Sequence, residues 1–530
     1  MSPKRVTRRQ MLQSGTLLAL PAVWHGTRPP AAQAAPAAAT GLRVGSRMYE
    51  SIGVRPIING RGTYTILSGS LMLPEVRAAM DEAAQHYVHL DELAEGIGAR
   101  LAELTKAEWG MVSSGCAAAL THASAACVAG GNPDFHVRLP DLRGFSKDEA
   151  IIPKHSRNVY DASVRSVGLR VIEVETVEEL DAALGPRTAM VYIFAGPWVD
   201  ESPLPTPVIT ERARAQGVPT LVDAAAEILT VPNVHLEAGA DLVAYSGGKC
   251  LRGPQTAGLL LGREDLVRAA WVQSAPHHGF GRSMKVGKEE AMGMLMAVEM
   301  WMQRDHDAEW AQWTTWLETI ADGVSIVDGV ETSVTPPAGL SNHTPTLEVL
   351  WDQERFGVSG QELATILFDG DPRIAMHTRE GTEGKTGIAI NPYMMSPGDE
   401  HVIADELRAT LSNPPRKDPS NLRPPAVDVT GEWDVEIEFA ASRGTHRLFL
   451  RQKEHALDGS HRGDFVERAL TGTIDGADVE IRSTQTERED GNSLRYTFTG
   501  TVAGDTMSGS LDMGEYLDGR WTARRQAHES

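Results

Sequence analysis

From Tyr49 onward, short apolar runs of strand length alternate with longer segments of helical period. Leu73 to Ala84, with Pro74 in its first turn, and Leu93 to Leu104 read as helices. Ala150 to Ile152, Leu169 to Val174, Ala189 to Phe194 and Thr220 to Val222 read as strands with helices between them. Parallel strands need a crossover connection, usually a helix, so this alternation predicts an α/β domain around a mainly parallel sheet. In such sheets a ligand sits beyond the carboxyl ends of the strands. A long helix is expected from near Gly287, with Met294, Val298 and Trp301 on one face at a spacing that signals core.

Two residues at that edge carry chemistry. Asp223 ends the run Pro219 to Val222, and Lys249 follows Asp241 to Ala244 through Tyr245-Ser246-Gly247-Gly248; they lie 249 − 223 = 26 residues apart. Taken singly, each reads as an ordinary loop or turn residue. A third element changes the balance. Ser113-Ser114-Gly115-Cys116-Ala117 stands between the apolar Trp109 to Val112 and the helix-like Ala118 to Leu120. Serine and glycine at a helix start offer N–H groups and hydroxyls to a phosphate dianion, and the helix dipole favours it. A lysine for a Schiff base, a carboxylate that keeps a pyridine nitrogen protonated and a phosphate cradle together meet the needs of pyridoxal 5′-phosphate. On this reading Lys249 carries the cofactor and, once freed, is the base for the substrate α-proton. Asp223 pairs with the ring nitrogen. Ser114, Gly115 and Cys116 hold the phosphate, and Ser246 adds a hydroxyl.

Five stretches carry a resemblance to a known family: Leu139-Pro140-Asp141, Val222 to Glu227, Tyr245 to Lys249, Arg252-Gly253-Pro254-Gln255 and the long Gly281 to Glu289. Across roughly Tyr49 to Leu411 the chain resembles the D-glucosaminate-6-phosphate ammonia-lyase family and, more distantly, bacterial selenocysteine synthase. The resemblance implies an aspartate-aminotransferase-like (fold type I) domain with Lys249 as the Schiff-base lysine. It also implies that His155 stacks on or beside the cofactor ring. The family has glycine before this histidine and arginine straight after it. Lys154 and Ser156 stand there in this chain, with Arg157 one place later, so a substrate-binding duty does not transfer to Arg157. Arg282, beside Gly279 and Gly281, is the first candidate for an anionic substrate, with Lys285 and Lys288 nearby; Arg373 and Arg61 are weaker candidates.

The chain has 530 residues, and 50 Lys and Arg against 71 Asp and Glu leave a net charge of −21, which argues against a nucleic-acid partner. Its three cysteines form no disulfide or metal-ligand spacing, and His277-His278 reads as exposed or substrate-facing, so no metal is expected. Thr7-Arg8-Arg9-Gln10-Met11-Leu12, the apolar Gly15 to Trp24 and Ala32-Gln33-Ala34 read as a twin-arginine export signal over 1–34, which predicts a periplasmic or extracellular protein. That route carries folded, cofactor-loaded proteins, and export excludes work on charged tRNA. A flexible lead over 35–48 precedes a large cofactor-binding domain at 49–309 and a smaller α+β lobe at 310–411. A proline-rich linker follows at 412–427. From 428 to 530, Trp433, Val435, Ile437 and Phe439 alternate with Asp434, Glu436 and Glu438, and turns fall at Asp475-Gly476, Asp490-Gly491 and Ala503-Gly504-Asp505. These predict an antiparallel sheet or small barrel.

The expected activity is that of a lyase removing a β-substituent from an amino acid or amino sugar acid, with release of ammonia and a keto acid. Racemisation and transamination share the same carbanion and stay open, as does an exported binding protein with degenerate catalysis. The segment Val54 to Ser70 is expected to reach a neighbouring subunit's site in a homodimer or higher homo-oligomer.

Overall fold

The computed structural model describes residues 41–382, 384–414, 422–485 and 494–526. The expected export signal, residues 415–421 of the proline-rich linker and the Asp490-Gly491 turn lie outside the described residues. The chain divides into two compact units, Met1–Pro56 and Ile57–Ser530. In the first, the described part forms one short 3-10 turn, Glu50–Ile52, closed by Gly53.

The second unit is built on a seven-stranded sheet. Its strands in chain order are β1 (Trp109–Ser113), β2 (Glu149–Pro153), β3 (Arg170–Val174), β4 (Thr188–Phe194), β5 (Thr220–Asp223), β6 (Leu242–Ser246) and β7 (Gly258–Gly262). The spatial order is β1-β7-β6-β5-β4-β2-β3. Four neighbouring pairs run parallel; β7 alone is antiparallel to both its neighbours. The carboxyl ends of β1, β2, β4, β5 and β6 therefore share one edge. The central strands are buried along nearly their whole length, as parallel strands covered on both faces must be. Alternate residues go to opposite cores. Ile151, Val191, Ile193, Val222 and Val243 pack on one face. Ile152, Met190, Tyr192, Leu221 and Ala244 pack on the other, against the alanine-rich helix Cys116–Ala129.

The expected helix near Gly287 runs Lys288–Trp301, and Met294, Val298 and Trp301 are core. Helix His306–Ser325 leads into a lobe with a four-stranded antiparallel sheet, ordered His377–Glu380, Lys385–Ile390, Thr346–Asp352 and Val330–Thr335. That lobe has its own core around Trp316, Leu317, Ile320 and Trp351. The two-residue strands Ile58–Asn59 and Ile374–Ala375 pair and stitch the segment after Pro56 to this lobe.

The last region is a closed barrel of eight antiparallel strands between Gly431 and Arg525. Trp433, Val435 and Ile437 point inward, as their alternation requires. Among the inward residues His446, His461 and Ser483 form a buried polar chain: His446 Nδ1 lies 2.9 Å from His461 Nε2, and His461 Nδ1 lies 2.8 Å from Ser483 Oγ. No helix among the described residues is long and apolar enough to cross a membrane.

Burial, with the neighbouring His446 and Arg468, pushes the His461 pKa down from 6.5 to about 3. The unfolded chain takes up the proton first, so stability contributed by neutral His461 is full above pH 6.5 and is lost as pH falls toward 3. The expected loss is a few kcal/mol, at about 1.4 kcal/mol per pKa unit. Unfolding free energies measured at neutral and acid pH should differ less in His461→Gln than in the wild type; an unchanged pH dependence would contradict the assignment.

Candidate active site

The register that pairs Tyr192 with Leu221 and Phe194 with Asp223 sets Tyr192 and Asp223 on the same face of adjacent strands. Asp223 is 1% exposed. Its Oδ2 accepts from the Tyr192 hydroxyl at 2.9 Å, and its Oδ1 accepts from the Ala225 N–H at 3.1 Å and from the Cys116 thiol at 3.5 Å. Asn158 Nδ2 donates to the Tyr192 oxygen at 3.2 Å. Burial raises the Asp223 pKa, opposed by these donors and by the charge of Lys249. Burial, and then the Asp223 charge, push the Cys116 thiol and the Tyr192 phenol up, so both stay protonated donors. A carboxylate offers about four lone-pair positions. Three are filled here, which leaves one for a ring N–H.

Lys249 is half-buried in the turn after β6, close enough for its charge to act on both Asp223 and Cys116. Among the described residues its amine makes no hydrogen bond or ion pair. The turn itself is held firmly. The Gly247 N–H donates to the Ala257 carbonyl at 2.8 Å, the Gly253 N–H to the Gly247 carbonyl at 2.8 Å and the Ser70 N–H to the Gly248 carbonyl at 2.9 Å. A Cβ on Gly248 would lie 2.7 Å from Gln255 Cα, so only glycine fits the turn.

The helix Cys116–Ala129 opens at Gly115, whose φ of +89° favours glycine, and no side chain caps it. Its first N–H groups stay available, and a Cβ built on Gly115 would meet no atom within 4 Å, so the space over the helix start is open. The Ser114 hydroxyl donates to the Met284 carbonyl at 2.9 Å, tying the Gly281–Gly287 stretch over the cradle. The Cys116 thiol donates to Asp223, so what Cys116 offers the cradle is its backbone N–H. The cradle is thus backbone N–H and dipole more than hydroxyl. Ser246 ends β6, half-buried, with no side-chain hydrogen bond among the described residues.

His155 follows β2 at the same edge. The Leu204 carbonyl, 3.3 Å away, can only accept, so Nε2 carries the proton; Nδ1 then accepts from the Ser156 hydroxyl at 3.0 Å. Burial lowers its pKa. Both nitrogens are occupied, which suits a ring that contributes its face and not a proton. Arg157 is bound to the buried Asp161 and to Glu173, a structural use.

Arg61 is set by Asn59, whose Oδ1 accepts from the Arg61 and Gly62 N–H groups at 3.0 Å. Its guanidinium lies 4.6 Å over the Tyr64 ring, which meets His377 edge-on at 5.1 Å. Arg61 Nε is buried and has no partner among the described residues, a donor available to an anion. Burial, and then the charges of Asp223 and more distant groups including Tyr64 and Glu515, raise the Tyr160 pKa. The stretch from Ile57 to Ser70 rests on the Lys249 turn of its own chain, through Ser70 and through Gln255 Nε2 donating to the Thr65 carbonyl at 3.2 Å, instead of extending away. Arg282 and Lys285 are exposed. Arg373 Nε donates to the Phe368 carbonyl at 3.0 Å, and its guanidinium covers the Phe368 ring. Tyr192, Asn158 and His377 were not expected from sequence. Tyr192 sits inside a strand-like apolar run, where a tyrosine reads as core until the register is known.

An acidic partner for a ring nitrogen, a free amine beside it and an open helix N-terminus fit pyridoxal phosphate, and the fold with this site defines a fold type I pyridoxal phosphate enzyme. Residues 153–287 match the aminotransferase class-V family. The chain is 31% identical over 376 residues to a 5'-C-glycyluridine monooxygenase-decarboxylase of a Streptomyces species, a match spanning 68% of this chain and 92% of that protein. It is 28% identical over 371 residues to the D-glucosaminate-6-phosphate ammonia lyase of Salmonella typhimurium, spanning 68% and 97%. A solved structure of D-glucosaminate-6-phosphate ammonia-lyase aligns with a TM-score of 0.60 at 26% identity over 68% of this chain and 97% of that one. The chain belongs to this ammonia-lyase and selenocysteine-synthase-like family of pyridoxal phosphate enzymes.

Asp223→Asn should retain some cofactor but lose most turnover, at a cost of several kcal/mol, about the scale of a lost charged partner at a reacting centre. Tyr192→Phe removes one of three donors to the carboxylate and should cost less, about 2 kcal/mol. Steady-state kinetics on both variants check this ranking; near-normal turnover in Asp223→Asn would reduce Asp223 to a strand-end turn residue.

Proposed function

We propose that the chain is a pyridoxal phosphate-dependent lyase acting on a hydroxy amino acid or amino sugar acid. The carrying observation is the unpartnered Lys249 amine beside the Asp223 carboxylate, in a family with a named ammonia lyase. Bound at this site, the cofactor supplies the sink for the electrons of the broken Cα–H bond. Lys249 takes that proton. Asp223, braced by Tyr192, Cys116 and Ala225, keeps the ring nitrogen protonated throughout. The β-hydroxyl leaves as water; hydrolysis of the resulting enamine consumes one water and frees ammonia and the keto acid. The unfilled donor of Arg61 and the exposed Arg282 suit the substrate's acid group.

The 31% identical relative favours a second reading, oxidative decarboxylation. A screen of the purified holoenzyme against hydroxy amino acids and amino sugar acids separates the two. Equal yields of ammonia and keto acid without oxygen uptake support the lyase. Oxygen consumption with carbon dioxide release supports the alternative, and α-proton exchange without ammonia would return the reaction to racemisation.

We also propose export through the twin-arginine signal at Arg8-Arg9 and assembly as a homodimer or larger homo-oligomer. Ile66, Leu71, Tyr87 and Val88 expose apolar surface around the helix Pro74–Ala83, which supports pairing. Replacing Arg8 and Arg9 by lysine should leave the protein in the cytoplasm, as read by fractionation; continued export would overturn the signal. A fully active monomer in analytical ultracentrifugation would overturn the assembly.

A further inference from the structure

A second cavity, of about 430 Å³, lies between the large domain and the smaller lobe. Lys249, Asp223, Ser114 and Cys116 do not line it, so it is separate from the cofactor cleft. One wall is aromatic: Trp313 and Trp316 come from the helix His306–Ser325, and Tyr393 meets Trp313 edge-on at 5.3 Å. The other side carries Arg252, Arg304 and Glu309.

The charges there do not balance. Arg304 is fully used, with Nε and Nη2 each 2.8 Å from Glu309 and Nη1 donating to the Cys250 carbonyl at 3.1 Å. Glu309 is thereby consumed, and His306 approaches the same carboxylate at 3.4 Å. Arg252 is half-buried, and its Nε donates to the Leu71 carbonyl at 3.0 Å. Its two terminal nitrogens have no hydrogen bond or ion pair among the described residues. Burial and the field of Arg304 both work against its charge. Arg252 also holds a φ of +53°, a left-handed conformation that a side chain adopts only under local constraint. The result is one surplus guanidinium, with its fork of donors unspent, at the edge of an aromatic pocket.

We propose that this cavity binds a small amphipathic monocarboxylate, an aryl or arylalkyl acid whose carboxylate pairs with Arg252 and whose apolar body lies against Trp313, Trp316 and Tyr393. One unbalanced positive charge calls for one negative charge, and a guanidinium fork matches a carboxylate in two parallel hydrogen bonds. The volume lies within the range of ordinary small-molecule pockets, mostly apolar with a few placed polar groups. The site adjoins the catalytic turn: the Arg252 N–H donates to the Lys249 carbonyl at 3.0 Å, and Arg304 holds the next carbonyl.

Isothermal titration of the holoenzyme with indole-3-acetate, against its neutral analogue indole-3-acetamide, tests the proposal. The acid should bind with a Kd near or below about 1 mM, and the amide at least about tenfold more weakly, the order expected when a charge-assisted pair is missing. Arg252→Gln should weaken the acid by a similar factor. Ala308→Trp, on an exposed lining position of the same helix, should block it while leaving the cofactor absorbance unchanged. Equal binding of acid and amide, unchanged binding in Arg252→Gln, or no heat from the wild type, as when a second copy covers the cavity, would each overturn the site. If Arg252→Gln does not fold, Ala308→Trp decides: undiminished binding there overturns it.

Discussion

A buried carboxylate at the end of a central strand is the constraint around which the rest is arranged. Asp223 is 1% exposed, and a charge taken out of water is costly unless neighbours replace its hydration. Tyr192, Cys116 and the Ala225 N–H supply that replacement. Each donor comes from a different element: β4, the cradle helix and the turn after β5. Satisfying one carboxylate therefore fixes three elements relative to one another. The remaining lone pair and the nearby Lys249 define where a protonated ring must lie.

The parallel sheet makes that geometry possible. Its carboxyl edge collects Asp223, Lys249, His155 and the start of the Cys116–Ala129 helix. The helix that presents its N-terminus there is almost entirely buried and largely alanine, so it lies close to the sheet and directs its dipole at the cleft. The Gly281–Gly287 stretch is fastened over the cradle through Ser114, which explains why so long a motif stands far from Lys249 in sequence.

Much of this was legible in the residues. Strand-helix alternation specified the sheet, and the strand-end positions of Asp223 and Lys249 specified the cofactor edge. The alternation of Trp433, Val435 and Ile437 specified an antiparallel terminal region, and the structure closes it into a barrel. What escaped depends on register and on side-chain direction. Tyr192 becomes a partner of Asp223 only once β4 and β5 are aligned. Cys116 and Ser114 sit where a cradle needs them, but their side chains bond elsewhere, a choice no spacing reveals. That Arg373 spends its Nε on the Phe368 carbonyl is likewise not visible in the sequence. The stretch Val54 to Ser70 was expected at a subunit boundary; from Ile57 on, the sequence did not show the two-residue strand pairing and the Ser70 and Gln255 hydrogen bonds that fasten it to its own chain.

The central claim is that Lys249 is the residue to which the cofactor attaches. Borohydride reduction of the yellow holoenzyme, followed by proteolysis and mass spectrometry, reads the attachment point directly. The account predicts a single pyridoxyl-modified peptide carrying the label on Lys249, absent from a Lys249→Ala chain. A label on any other lysine, or a labelled Lys249→Ala protein, would contradict it.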